Sequence, residues 1–200
     1  MTNAKSKSRL QWMTIAALLT ALIFLFTFTG IGYIPVGPLT LTILTLPVAV
    51  GACLLGPWGG LFLGAMFGLS SFLTCFGIDA TGTLLLGENA FFTFITCMVP
   101  RLLCGFLPAL LFRALDKRDR SHIFSASLSC LAVAVLNTVL FLSCMWLFFS
   151  DVWTGQGFQN IWLFFVACAG VNALVEAASN LFIGGAIVKA LLAVQKRMTV

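Results

Sequence analysis

Long apolar runs, broken by short polar or Gly/Pro-rich stretches, fill the chain from residue 11 to residue 193. Six hydrophobic segments can be drawn, at about 11–30, 40–55, 58–77, 89–115, 123–149 and 161–193. At about 1.5 Å per residue, segments of this kind can cross roughly 30 Å of hydrocarbon as helices. Closed β-barrels also satisfy backbone polar groups in lipid, but they need alternating strands, and these runs are continuous. The pattern therefore predicts an all-α polytopic membrane protein, one bundle of six transmembrane helices forming a single membrane domain over residues 1–200. Pro100 and Pro108 fall inside the fourth segment and predict kinks there.

Composition agrees. Hydrophobic residues make up 60% of the chain, mean hydropathy is +1.09, and 11 Lys and Arg with 6 Asp and Glu cannot cover a soluble surface. The basic residues sit at segment ends. Lys5, Lys7 and Arg9 precede the first helix; Arg113, Lys117, Arg118 and Arg120 surround the fourth connection; Lys189, Lys196 and Arg197 end the sixth helix. Six crossings place these clusters on one face, and the positive-inside rule makes that face, with both termini, cytoplasmic. The opposite loops, 30–39, 78–88 and 150–160, carry no Lys or Arg. The first apolar run is too long for a cleaved leader and is read as a retained helix. Trp12 and Trp58 are expected at the inner membrane boundary, Trp153 and Trp162 at the outer one.

One cation breaks the rule. Arg101 lies about 11 residues, roughly 16 Å, into the fourth segment. A cation at that depth costs at least about 2.5–3.5 kcal/mol and is expected to face the bundle interior. It can bind an anionic substrate through its guanidinium fork, or form an ion pair with Glu176; the two roles are compatible if substrate competes for the same arginine. Asn172, Glu176 and Asn180 recur at i, i+4 along the sixth helix, and Asn137 and Thr138 lie near the middle of the fifth. Arg101, Asn137 and Asn172 come out at similar depth, as a small polar ligand needs. The alternative is interhelical hydrogen bonding, worth about 1 kcal/mol per contact.

Ala17 and Ala21 form a small-xxx-small pair on the first helix, and Gly51, Gly56, Gly59, Gly60, Gly64 and Gly68 give the next two a smooth face. Such faces allow close packing, within the chain or against a partner. Seven scattered cysteines without a C-x-x-C, and a single histidine, His122, predict no metal site and no disulfide framework. Ser70 and Ser71 have no histidine within the bundle, Glu176 stands alone among acids there, and no nucleotide-binding loop occurs. No enzymatic activity is expected.

Several stretches resemble the substrate-binding S components of energy-coupling factor (ECF) vitamin transporters. They are Ile34-Pro35-Val36-Gly37-Pro38, Leu46-Pro47-Val48, Leu55-Gly56-Pro57-Trp58-Gly59-Gly60, Gly64 with Phe67-Gly68-Leu69, and Pro100-Arg101 with Gly105. Ala17-x-x-x-Ala21 is similar to the small-residue motif these proteins carry on helix 1. The resemblance implies capture of a vitamin at the outer face of a bacterial plasma membrane, with no cofactor and no nucleic acid. It implies that a membrane-embedded coupling subunit and two cytoplasmic ATPases drive delivery, and that helices 1 to 3 dock through Ala17 and Ala21. The first outer loop, with Tyr33 and Pro35, becomes a lid. Helices 4 to 6 and the loop after helix 3 line a pocket, with Arg101, Asn137, Asn172, Glu176 and Asn89 as its substrate-binding residues. Pantothenate-type members are most similar, and a lone arginine beside asparagines suits a carboxylate bearing amide and hydroxyl groups. Riboflavin is the second choice, and folate, niacin and queuosine precursors remain open. A self-sufficient secondary transporter is the alternative class, though residues 1–100 and 101–200 show no repeat.

Overall fold

The computed structural model describes residues 2–29, 33–36, 39–42, 44–117, 119 and 122–198, with side chains for 9–29, 44–117, 119, 122–170 and 173–194. The elements run α1 (Thr2–Thr29), β1 (Tyr33–Val36), β2 (Leu39–Thr42), α2 (Thr45–Thr74), α3 (Ala80–Glu88), α4 (Ala90–Asp116), α5 (Ile123–Gly155), α6 (Ile161–Ser179), a π-helical turn (Asn180–Gly184) and α7 (Gly185–Met198). Among the described residues, five helices are long and apolar enough to cross a membrane: Arg9–Thr29, Thr45–Thr74, Ala90–Asp116, Ile123–Gly155 and Ala173–Val194. The protein is thus a polytopic helical membrane protein.

The second and third expected helices are two arms of α2. Gly56 takes φ 74°, ψ −170°, a conformation open to glycine, and Pro57 follows with no N–H to continue the ladder. The chain folds back there. The Leu63 side chain reaches Gly51, and a Cβ on Gly60 would lie 3.3 Å from the Ala52 Cα. Residues 12 apart on a straight helix would be separated by about 18 Å. The indole of Trp12 donates to the Leu55 carbonyl at 3.4 Å and ties α1 to this turn.

The second arm then crosses α4 at backbone contact. A Cβ on Gly60 would strike the Gly105 carbonyl, one on Gly105 the Gly60 carbonyl, and one on Gly64 the Arg101 carbonyl; one on Gly68 would come within 3.1 Å of the Cys97 carbonyl. Gly60, Gly64 and Gly68 thus pack along Gly105, Arg101 and Cys97, a fourfold spacing on both helices. The glycine face serves packing within the chain. In lipid, where apolar burial gives helices little reason to associate, such close approach is a main source of cohesion.

Other boundaries differ from the sequence reading. Residues 40–42, expected in a helix, fall in β2, paired antiparallel with β1 in the register Tyr33–Thr42 and Pro35–Thr40; the Leu-Thr-Leu-Thr alternation suits a strand. The expected loop 78–88 is mostly α3, whose start is capped by the Asp79 carboxylate accepting from the Gly82 N–H at 2.8 Å. Helix α5 continues past residue 149 to Gly155 through a distortion at Phe149. The expected last helix is broken at Gly170, where φ is 46°. The aromatic assignments split. Trp58 and Trp162 are 76% and 79% exposed, but Trp153 is buried against Phe158 and Phe164 and is no interfacial anchor.

The Gly60–Gly105 crossing makes a stability prediction. Gly60→Val is expected to lower stability in detergent by about 1–3 kcal/mol, as overpacking does. Gly87→Ala, where a Cβ meets open space in α3, is expected to leave stability unchanged or raise it by up to about 1 kcal/mol. Thermal midpoints measured by fluorescence-detected size exclusion compare the two.

Candidate functional site

A cavity of about 530 Å³ opens between α2, α3, α4, α5 and α6, within the size range of small-molecule sites. Arg101, Asn137 and Glu176, each on a different helix, all line it. Its rim carries Asp79, Thr81 and Gly82 from α3 and the turn before it. The segment expected as a loop thus contributes a capped helix.

Arg101 is 6% exposed. Its Nη1 donates to the Thr96 carbonyl at 3.2 Å and its Nη2 to Ser71 Oγ at 3.3 Å. The guanidinium carbon sits 3.9 Å from the centre of the Phe141 ring and 5.4 Å from that of Phe67. Two aromatic faces steady the cation in a water-poor setting and hold its plane. The Gly64 contact fixes the backbone beneath it.

Glu176 is 5% exposed. Its Oε1 accepts from Thr45 Oγ1 at 2.7 Å, while Asn180 Nδ2 donates to Thr45 Oγ1 and to the Glu176 carbonyl, both at 3.0 Å. Asn180 therefore belongs to the support beneath Glu176 and not to the cavity wall. Asn137 accepts a weak contact from Cys104 Sγ at 3.9 Å, and Thr138 beside it also lines the cavity. The side chain of Asn172 and those of Tyr33 and Pro35 lie outside the described residues.

Asn89 is placed elsewhere. Its Oδ1 accepts from the N–H groups of Phe91 and Phe92, both at 3.1 Å, so it caps α4; it is exposed and does not line the cavity.

Cavity residues that the sequence does not single out as such include Ser71, Thr93, Thr96 and Trp153. Thr96 Oγ1 and Trp153 Nε1 are buried donors with no hydrogen-bond partner among the described residues. An orphaned buried donor is costly, and one on a cavity wall is positioned for a ligand acceptor. A signal for the α4 pair existed. Thr93, Cys97 and Arg101 follow i, i+4 spacing, with Thr96 beside them, so they form one polar stripe. Beyond Arg101 the cavity turns apolar, with Leu85, Leu142 and Met145 on its wall and Trp153 packed on Phe164 at 4.9 Å. The arrangement offers a cation and hydroxyl donors at one end, and an apolar wall with an indole donor at the other.

Helix α1, which gives no residue to the cavity, buries Ala16, Leu19, Ile23 and Thr27 against the bundle. Ala17 and Ala21 point away from it and are exposed, in a row with exposed Met13 and Leu25.

Comparison with known proteins agrees with this architecture. The chain is 29% identical over 165 residues to the pantothenic acid transporter PanT of Lactococcus lactis subsp. cremoris (strain MG1363), covering 77% of this chain and 79% of that protein. The family model described as "ECF transporter, substrate-specific component" matches residues 11–188. That match spans nearly all the helical bundle, and the chain belongs to the substrate-specific (S) component family of ECF transporters.

Proposed function

We propose that this S component captures pantothenate from the outside of a bacterial cell and delivers it inward when docked on an ECF module. The observation that carries the proposal is the buried arginine: Arg101 faces a cavity of about 530 Å³, flanked by hydroxyls and by Phe141. A buried cation in a membrane protein calls for an anion, and a carboxylate matches the guanidinium fork. Arg101 takes the carboxylate. Asn137, Asn172 and Glu176 take the amide and hydroxyl groups, and Trp153 Nε1 donates to a ligand oxygen near the apolar end. The dimethyl carbon of pantothenate fits the wall made by Leu142 and Met145. The name of the Lactococcus relative supports the same substrate.

The topology assigned to the chain has six crossings: α1, the two arms of α2, α4, α5, and the α6–α7 segment. The even count, with Arg9, Arg113, Lys117 and Lys189 at matching ends, supports cytoplasmic termini. The cavity rim at Asp79 and Thr81 then faces outward. The β1–β2 hairpin carries Tyr33 and Pro35 and contacts α6 through β2, as a lid over the cavity would. Ala17 and Ala21 on the free face of α1 are assigned to docking on the coupling subunit, whose two ATPases drive release. Riboflavin is the second reading, favoured by the aromatic cluster of Trp153, Phe158 and Phe164. It leaves Arg101 without a carboxylate to meet, and so ranks lower.

Three outcomes are expected. Titration calorimetry with the purified protein gives pantothenate binding that Arg101→Ala weakens by about 100-fold or more, the effect of stranding a buried charge partner; unchanged affinity overturns the site assignment, and binding of riboflavin in place of pantothenate overturns the substrate. Asn89→Ala is expected to cost about 1 kcal/mol of stability by loss of a cap while leaving affinity within about twofold; a large loss of affinity makes Asn89 a ligand contact after all. Ala17→Trp is expected to spare binding by the isolated subunit and abolish uptake in cells that co-express the coupling subunit and ATPases. Survival of uptake removes α1 as the docking face.

A further inference from the structure

Vitamin capture leaves one chemical group of the cavity without a task. Cys75 is the first residue past α2, and Cys97 lies in α4. Both are free thiols, both line the cavity, and their Sγ atoms stand 3.9 Å apart. They are 22 positions apart in the sequence, and the Gly68–Cys97 contact of α2 on α4 brings them together.

The pair is joined to the anion site by a short chain of contacts. Arg101 Nη2 donates to Ser71 Oγ at 3.3 Å, and Ser71 Oγ contacts Cys97 Sγ at 3.9 Å. Cys75 Sγ donates to the Ser71 carbonyl at 3.4 Å. Both thiols therefore touch Ser71, whose hydroxyl accepts from Arg101 Nη2.

We propose that Cys75 and Cys97 are an oxidation site in the cavity wall, which closes to a disulfide and thereby weakens anion binding at Arg101. The binding effect rests on the pantothenate reading; the disulfide itself does not. The oxidant is a peroxide, small enough to enter a cavity that admits a vitamin. One thiol, as its thiolate, attacks a peroxide oxygen; the O–O bond breaks, a sulfenic acid forms, and the released hydroxide takes up a proton to leave as water. The second thiolate attacks the sulfenic sulfur, the S–O bond breaks, and a second water leaves. Two thiols and one hydrogen peroxide give one disulfide and two waters, with two electrons passing from sulfur to oxygen.

The sulfurs must close from 3.9 Å to about 2.05 Å. The turn after α2 can supply that movement, because Cys75 lies outside the helix and Gly77 two residues on takes φ 112°. Closure removes the S–H donor from the Ser71 carbonyl and pulls Cys97 from the Ser71 hydroxyl. Ser71 then turns, and Arg101 Nη2 loses its hydroxyl acceptor. Closure also fixes the segment leading to Asp79 and α3, which forms the cavity rim.

The test treats the purified protein in nanodiscs with hydrogen peroxide, blocks remaining thiols, and maps disulfides by peptide mass spectrometry alongside equilibrium binding of labelled pantothenate. The expected result is a Cys75–Cys97 linked peptide lighter by about 2 Da than its two thiol parts, with affinity about tenfold weaker and restored by dithiothreitol. Cys75→Ser and Cys97→Ser are each expected to lose the link and the response, and Cys168→Ser, a third cavity cysteine, to keep both. Oxidation that leaves Cys75 and Cys97 unlinked overturns the proposal, as does a link with unchanged affinity, or a response lost in Cys168→Ser but kept in Cys75→Ser. A protein that forms the link yet binds no pantothenate in either state upholds the thiol site and overturns the substrate reading instead.

Discussion

Gly60 and Gly105 meet backbone to backbone where the second arm of α2 crosses α4, and the ligand cavity depends on that contact. The crossing leaves no room for a side chain at either position. It sets the spacing along which Gly64 meets Arg101 and Gly68 meets Cys97. Arg101 is thereby held by its own backbone against a neighbouring helix, while its guanidinium reaches Ser71, Thr96 and the Phe141 face. A cation placed in the membrane interior is costly unless its surroundings are fixed in advance. Rigid packing behind the arginine and a hydrogen-bonded carboxylate at Glu176 across the cavity, supported by Thr45 and Asn180, supply those surroundings.

The cavity and the small-residue face of α1 lie on different helices. Helices α2 to α6 all give side chains to the cavity, α1 none. Helix α1 packs by one face on α2 and leaves its small-residue face open. The breaks at Gly56, Phe149 and Gly170 contribute to this arrangement. The first lets the chain fold back on itself, and the other two interrupt α5 and α6 beside the cavity residues Trp153, Cys168 and Ala169.

Much of this was legible in the sequence, because depth in a membrane can be counted. Counting residues from the segment ends groups Arg101, Asn137 and Asn172; Arg101 and Asn137 line one cavity, joined there by Glu176 from the polar stripe of the sixth helix, while the Asn172 side chain lies outside the described residues. The glycine row announced close packing but not its partner, since small residues look alike whether they face a neighbour in the chain or another subunit. The resemblance implies a ligand contact at Asn89, whereas its Oδ1 accepts from the Phe91 and Phe92 N–H groups and caps α4. Trp153 was read as an interfacial anchor because its position fits one, and its burial comes from Phe158 and Phe164, a contact between distant segments. Ser71 and Thr96 were passed over because single hydroxyls are common in membrane helices, and their meaning lies in what they face. The proximity of Cys75 and Cys97 arises from the α2–α4 crossing and has no trace in their spacing.

The central claim is that a carboxylate on the ligand meets Arg101. It is tested most directly by comparing pantothenate with panthenol, in which a CH2OH group replaces the carboxylate, in equilibrium titrations of the wild-type protein. The account predicts that panthenol binds about 100-fold more weakly and that the difference disappears in Arg101→Ala. Equal affinity of the two compounds for the wild-type protein would contradict it.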